Sequence, residues 1–105
     1  MNQTETYNLA IRAAAEVTGY PAHAWTDPSR RIEGTRLRWA LWYHLKMSGW
    51  ACSEIGRASG YDRTNVNYGV ARIEWLIDNP NQYDIDRVAV RIATDEQLRQ
   101  MIQDL

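Results

Sequence analysis

The chain has 105 residues, 45% of them hydrophobic and 24% charged, with a net charge of −1 and one cysteine. That length suits one domain, here 1–105, with a modest core, and no apolar run approaches the roughly 20 residues that span a bilayer. The lone Cys52 excludes an internal disulfide and a cysteine-rich zinc site, and the opening MNQTETYNLAIR lacks the basic and apolar stretches of a secretory signal, so a reducing cytoplasm is expected.

Periodicity and capping residues predict an all-α protein, a compact helical bundle. The first helix covers 4–18, with Thr4 as its N-cap, Leu9, Ile11, Ala13, Ala14 and Val17 on its apolar face, and Gly19 as its stop. Pro21 opens a short helix around Trp25 that Asp27-Pro28 ends. A third helix runs from Ser29 or Arg31 to about Ser48, interrupted at Gly34 and closed by Gly49. Leu37, Leu41 and Leu45 form one of its stripes and Trp39, Tyr43 and Met47 another, so it is expected to be the central post of the bundle. His23 and His44 lie on different elements with no further ligand at metal spacing, so no metal site is expected.

A short helix over 52–59, opened by Ser53 or Cys52, turns inward Ile55 and Ala58; Gly56 permits close packing and Gly60 ends it. The next helix covers 63–78. Val66, Val70, Ile73 and Ile77 recur at i, i+4, i+7 and i+11, Asp62 stands where an N-cap carboxylate belongs, and Asn79-Pro80 supplies the stop. Together 51–78 have the outline of a helix-turn-helix. Trp75 falls opposite the core stripe of its helix, so the tail or a partner is expected to cover it. After Pro80, a helix with Ile85, Val88, Ala89 and Ile92 on one face is followed by a last helix over 95–105 that uses Leu98, Met101, Ile102 and Leu105. Thr94 with Gln97 reads as the capping box between them. This tail, 81–105, makes either a lid on the bundle or a dimer surface.

Charge is segregated along the chain. Residues 1–29 sum to −2, residues 30–72 to +5 and residues 73–105 to −4, the pattern of a domain with one face toward phosphate and another toward water or a partner. Arg30, Arg31, Arg36 and Arg38 crowd the start of the third helix with Glu33 as their single local acid, which points to phosphate or the minor groove. No nucleophile elbow, zinc-protease motif or phosphate-binding glycine loop occurs, so neither an enzyme nor a cofactor is expected.

Four stretches carry a family resemblance: AAAEVTG at 13–19, RRIEGTRLRWALWYHL at 30–45, SEIGRASG at 53–60 and YDRTNVNYGVARIEWL at 61–76. With these, residues 13–78 resemble the C-terminal duplex-DNA-binding domain of the bacterial replication initiator DnaA. Asp62, Thr64 and Val66 match that family's Asp-His-Thr-Thr-Val run, while Arg63 replaces its His and Asn65 its second Thr; Thr35-Arg36-Leu37-Arg38 stands where the family has Arg-Pro-Arg. The resemblance implies that helix 63–78 enters the major groove and that Arg36 or Arg38 reaches the minor groove. The ATPase module of the initiator has no counterpart here.

The expected function is therefore a non-catalytic, sequence-preferring duplex-DNA-binding protein, nucleoid-associated, regulating transcription or replication by occupying sites. Its expected contacts are Arg30, Arg31, Arg36, Arg38, Arg57, Arg63, Thr64, Asn65, Asn67, Tyr68 and Arg72. Arg63 can donate two bonds to guanine and Asn65 can pair with adenine, or the two can serve as phosphate contact and helix-end cap; Tyr68 suits the DNA backbone. The alternatives are a module that binds replication or packaging proteins through its tryptophans, as a homodimer or with another chain, and the DNA-recognition subunit of a packaging terminase.

Overall fold

In the computed structural model, which describes residues 1–28, 31–80 and 83–105, seven helices follow one another among the described residues. They are α1 (Gln3–Thr18), α2 (Ala22–Thr26), α3 (Ile32–Met47), α4 (Cys52–Ser59), α5 (Arg63–Asp78), α6 (Asp84–Ala93) and α7 (Glu96–Gln103). No strand is formed among the described residues, and no helix there is long and apolar enough to cross a membrane. The radius of gyration of 12.3 Å is that of one compact body of this length, for which about 13 Å is usual.

The central helix is α3, which packs against each of the other six. Its leucine stripe, Leu37, Leu41 and Leu45, is buried together with Trp39, Ala40 and Trp42, while Met47 at its end is exposed. The interruption expected at Gly34 does not occur. The helix runs through it, because one glycine costs about 1 kcal/mol of helix propensity and the packing on both sides outweighs that. Around this post, α1 contributes Tyr7, Ala10, Ile11 and Ala14, and the Tyr7 hydroxyl accepts a hydrogen bond of 3.1 Å from the Trp42 indole. Burial pushes the Tyr7 phenol up to about 12, so it stays a neutral partner for that indole.

Local capping differs from expectation at several helix starts. Asn2, not Thr4, caps α1 by accepting from the Glu5 N–H at 2.8 Å, and Pro21 stands just before α2 rather than inside it. The N-cap of α4 is Ala51; Glu54 reaches back to accept from the Ala51 N–H at 2.8 Å, and that bond, with one from the Gln3 amide, lowers the carboxyl below its usual range. At α7 the cap is Asp95, which accepts from the Leu98 N–H at 2.9 Å, while the Thr94 hydroxyl turns back to the Val90 carbonyl. The break between the last two helices stands, one residue later than its predicted cap.

The tail covers the bundle. Ala89, Ile92, Ala93, Leu98 and Ile102 join the same core as α1 and α3. Leu105, expected on the apolar face of α7, is exposed. Asp86, which the sequence reading did not single out, is buried and accepts from Arg36 at 2.6 Å, which ties α6 to α3.

A second buried polar link joins α3 to the tail. The His44 ring is inaccessible: Nε2–H donates to the Ile92 carbonyl at 2.6 Å, and Nδ1 accepts from Arg99 Nε at 2.8 Å. This geometry sets the neutral tautomer, and burial, with the Arg99 charge adding to it, lowers the imidazole to about 4. The unfolded chain takes up this proton below about 6.5 while the folded chain refuses it until about 4. The His44 contribution is therefore complete above pH 6.5 and declines as the pH falls through that window. Urea unfolding at pH 7 and pH 4 should differ by up to about 3 kcal/mol from this ring, and His44→Gln should remove that part of the difference.

Two glycines in the same frame predict opposite outcomes. A Cβ at Gly69 would sit 2.4 Å from Trp39 Cδ1, whereas one at Gly34 would meet nothing closer than 3.6 Å. Gly69→Ala should lower stability by about 1–3 kcal/mol through overpacking, and Gly34→Ala should raise it by up to about 1 kcal/mol, both read from denaturant midpoints.

Candidate nucleic-acid interface

The segment 52–78 forms the expected helix-turn-helix, with α4 and α5 at their predicted bounds. Gly60 turns the chain in the left-handed region at φ 83°, and Gly56 lets the two helices close: a Cβ there would lie 2.6 Å from the Tyr61 carbonyl oxygen. Ile55 of α4 and Val66 of α5 are fully buried beneath that turn. Tyr61 leans its ring edge-to-face on Trp42 of α3, centroids 5.3 Å apart. One turn further along, Gly69 places the α5 backbone directly on the Trp39 indole, and Tyr68 meets the same indole edge-to-face at 5.6 Å. These contacts fix the direction in which α5 projects from the bundle.

Val66, Gly69, Val70, Ile73 and Leu76 are the buried face of α5, and Ile77 is half-buried; Leu76 joins the predicted stripe. On the outside are Arg63, Thr64, Asn65, Asn67 and Tyr68 in the first two turns, then Ala71 and Trp75. Asp62 occupies the N-cap position, but its side chain makes no capping hydrogen bond. Trp75 is 49% exposed, although α6 packs on both α3 and α5. The tail therefore does not supply the expected cover. The ring instead carries the Arg72 guanidinium, 5.0 Å above its centroid, and Arg72 Nε is buried without a hydrogen-bond partner.

The arginines at the start of α3 do not form the free cluster that their spacing suggests. Arg30 lies outside the described residues. Arg31 is exposed at the N-cap of α3, and Arg57 is exposed in the last turn of α4. Arg36 is held between the Asp86 carboxylate and the Trp39 ring, with its guanidinium 4.2 Å from the ring centroid. Its partner comes from 50 residues further along the chain, so counting Glu33 as the single local acid understated the neutralisation available. Arg38 is buried at 6% exposure, donating to the Asp27 carbonyl and, at 3.2 Å, to the Thr35 hydroxyl, with the Tyr61 ring 5.0 Å away.

Arg38 forms part of a half-open cleft of about 410 Å³ between the start of α3 and the first turns of α5. Pro28, Thr35, Trp39, Trp42, Tyr61, Asn65 and Tyr68 complete its lining. Sequence reasoning placed Arg38, Asn65 and Tyr68 at an interface but not together, and it assigned Trp39 to the core alone. Asp86 had a signal in the sequence: it shares the i, i+3, i+7 stripe of Ala89 and Ala93, which is a buried position. Among the described residues no group of His, Cys, Asp and Glu side chains has metal-binding geometry, and Cys52 is buried. No protein-family model, curated protein or solved structure matches the chain.

Proposed function

We propose that the protein binds duplex DNA without catalysis, reading sequence with the first two turns of α5 and acting by site occupancy in transcription or replication. The observation that carries this reading is the polar projection of Arg63, Thr64 and Asn67, with Asp62 as the one acid beside them, from a helix whose opposite face is locked to α3 and α4. Within α5 the acids Glu74 and Asp78 lie in the last turns, so the end offered to a polyanion is the end with Arg63. This agrees with the resemblance to the DnaA C-terminal domain, in which the corresponding turn enters the major groove.

In this arrangement Arg63 supplies a two-bond donor for guanine O6 and N7, Thr64 a hydroxyl and a methyl for a phosphate or thymine, and Asn67 an amide on the adjoining flank. Arg31 and Arg57 supply exposed positive charge beyond α5 itself. Arg36 and Arg38 contribute differently: Arg36 supports the wall behind α5, and Arg38 acts inside the cleft. Arg63→Ala should weaken binding to a preferred duplex by about 5- to 100-fold and binding to random duplex by much less; equal weakening on both would make Arg63 a phosphate-binding residue. Removing Arg31 and Arg57 together should reduce the log–log salt slope by about 0.9 for each phosphate that is no longer neutralised, as read by fluorescence anisotropy from low to moderate salt.

The exposed Trp75, two helical turns along α5 from the exposed Tyr68, favours a second reading as a protein-interaction module. A mobility-shift assay on random duplex at low salt separates the two. Retention of the duplex at micromolar protein supports DNA binding, and its absence supports the protein partner.

A further inference from the structure

The cleft at the start of α3 contains a charge that no described carboxylate neutralises. Arg38 is 6% exposed, and its donors meet a carbonyl oxygen and a hydroxyl; among the described residues no carboxylate pairs with it. Arg36, two residues earlier and less buried, has Asp86 at 2.6 Å. A guanidinium removed from water is costly unless an anion meets it, and here the side chain opens onto the cleft.

The walls specify more than an anion. Trp42 with Tyr61, and Trp39 with Tyr68, form two edge-to-face pairs that line the space beside the guanidinium. Asn65 stands at the α5 rim, where its amide offers donors and an acceptor in one plane. A volume of about 410 Å³ lies in the range that small organic ligands fill and is larger than a phosphate ion needs. Aromatic surface, an in-plane amide and an unpaired guanidinium are together the complement of a flat heteroaromatic ring that carries a phosphate.

We propose that this cleft seats a single nucleotide, its phosphate on Arg38 and its base against the aromatic walls, with Asn65 at the edge of the base. The nucleotide comes either free from solution or as one unstacked residue of a strand that lies along α5. The free form requires no duplex binding, so the seat stands or falls separately from the major-groove reading.

The test uses the full chain labelled with ¹⁵N, following the indole N–H signals of Trp39, Trp42 and Trp75. The added ligands are deoxyadenosine monophosphate, phenyl phosphate, inorganic phosphate, and a short duplex with or without one bulged adenine. The expected result is a saturable shift of Trp39 and Trp42, without Trp75, by the mononucleotide or by the bulged duplex in preference to the paired one. The mononucleotide alone marks a free-nucleotide site, and the bulge preference marks a strand. Tyr68→Ala and Asn65→Ala, both at exposed positions, should each weaken that binding by about five-fold or more, the lower range for removing a base-stacking or base-edge interaction. Arg38→Lys should weaken it further, with the unfolding midpoint measured alongside. Phosphate or phenyl phosphate binding as tightly as the nucleotide would overturn the proposal, as would the absence of a saturable shift with either source at millimolar ligand.

Discussion

The position of α5 depends on one contact, the Gly69 backbone laid on the Trp39 indole. A side chain of any size at residue 69 would hold the helix away from α3. Trp39 is in turn held by the Arg36 guanidinium, and Arg36 by the buried Asp86 of α6. A helix near the C-terminus, a cation at the start of the central post and the exposed polar face of α5 are therefore one mechanical stack. Packed interiors transmit displacement because they have little free volume, so a change at Asp86 is expected to be felt at Tyr68, which rests on Trp39.

The same stack explains why the arginines of α3 have unlike roles despite their shared neighbourhood. Arg36 spends its charge inside the fold. Arg38 is more deeply buried, yet among the described residues it meets neutral acceptors and a ring face, which leaves its charge directed at the cleft. Arg31 and Arg57 remain exposed at the surface. The positive middle of the chain is thus divided between structure and surface, and its sum of charges overstates what a ligand meets. The far end of α5 is different in kind, with Trp75 and Arg72 stacked beside acidic residues.

Elements governed by local chemistry were legible in the sequence. The bounds of α4 and α5 follow from Gly60, Asp62 and Asn79-Pro80, and the core stripe of α5 from its period, because each signal lies within a turn or two of its effect. The same local reading failed where two nearby groups compete. Asn2, two residues earlier, caps α1 in place of Thr4, and Asp95 caps α7 in place of Thr94, whose hydroxyl bonds back to a carbonyl in its own helix. What joins distant residues was not legible. The His44 link to Ile92 and Arg99, the Arg36–Asp86 pair and the gathering of Arg38, Asn65 and Tyr68 into one cleft exist only once α5 and the tail helices are docked on α3.

The central claim is that the polar first turns of α5, oriented by the Trp39 contact, are the working surface of the protein. Mapping amide chemical shifts on the full chain with a duplex selected from a random pool tests this most directly. The predicted result is a set of perturbations concentrated at Arg31, Arg57 and residues 61–68, with α6 and α7 unchanged. Perturbations centred on Trp75 or the tail helices, with the first turns of α5 silent, would contradict it.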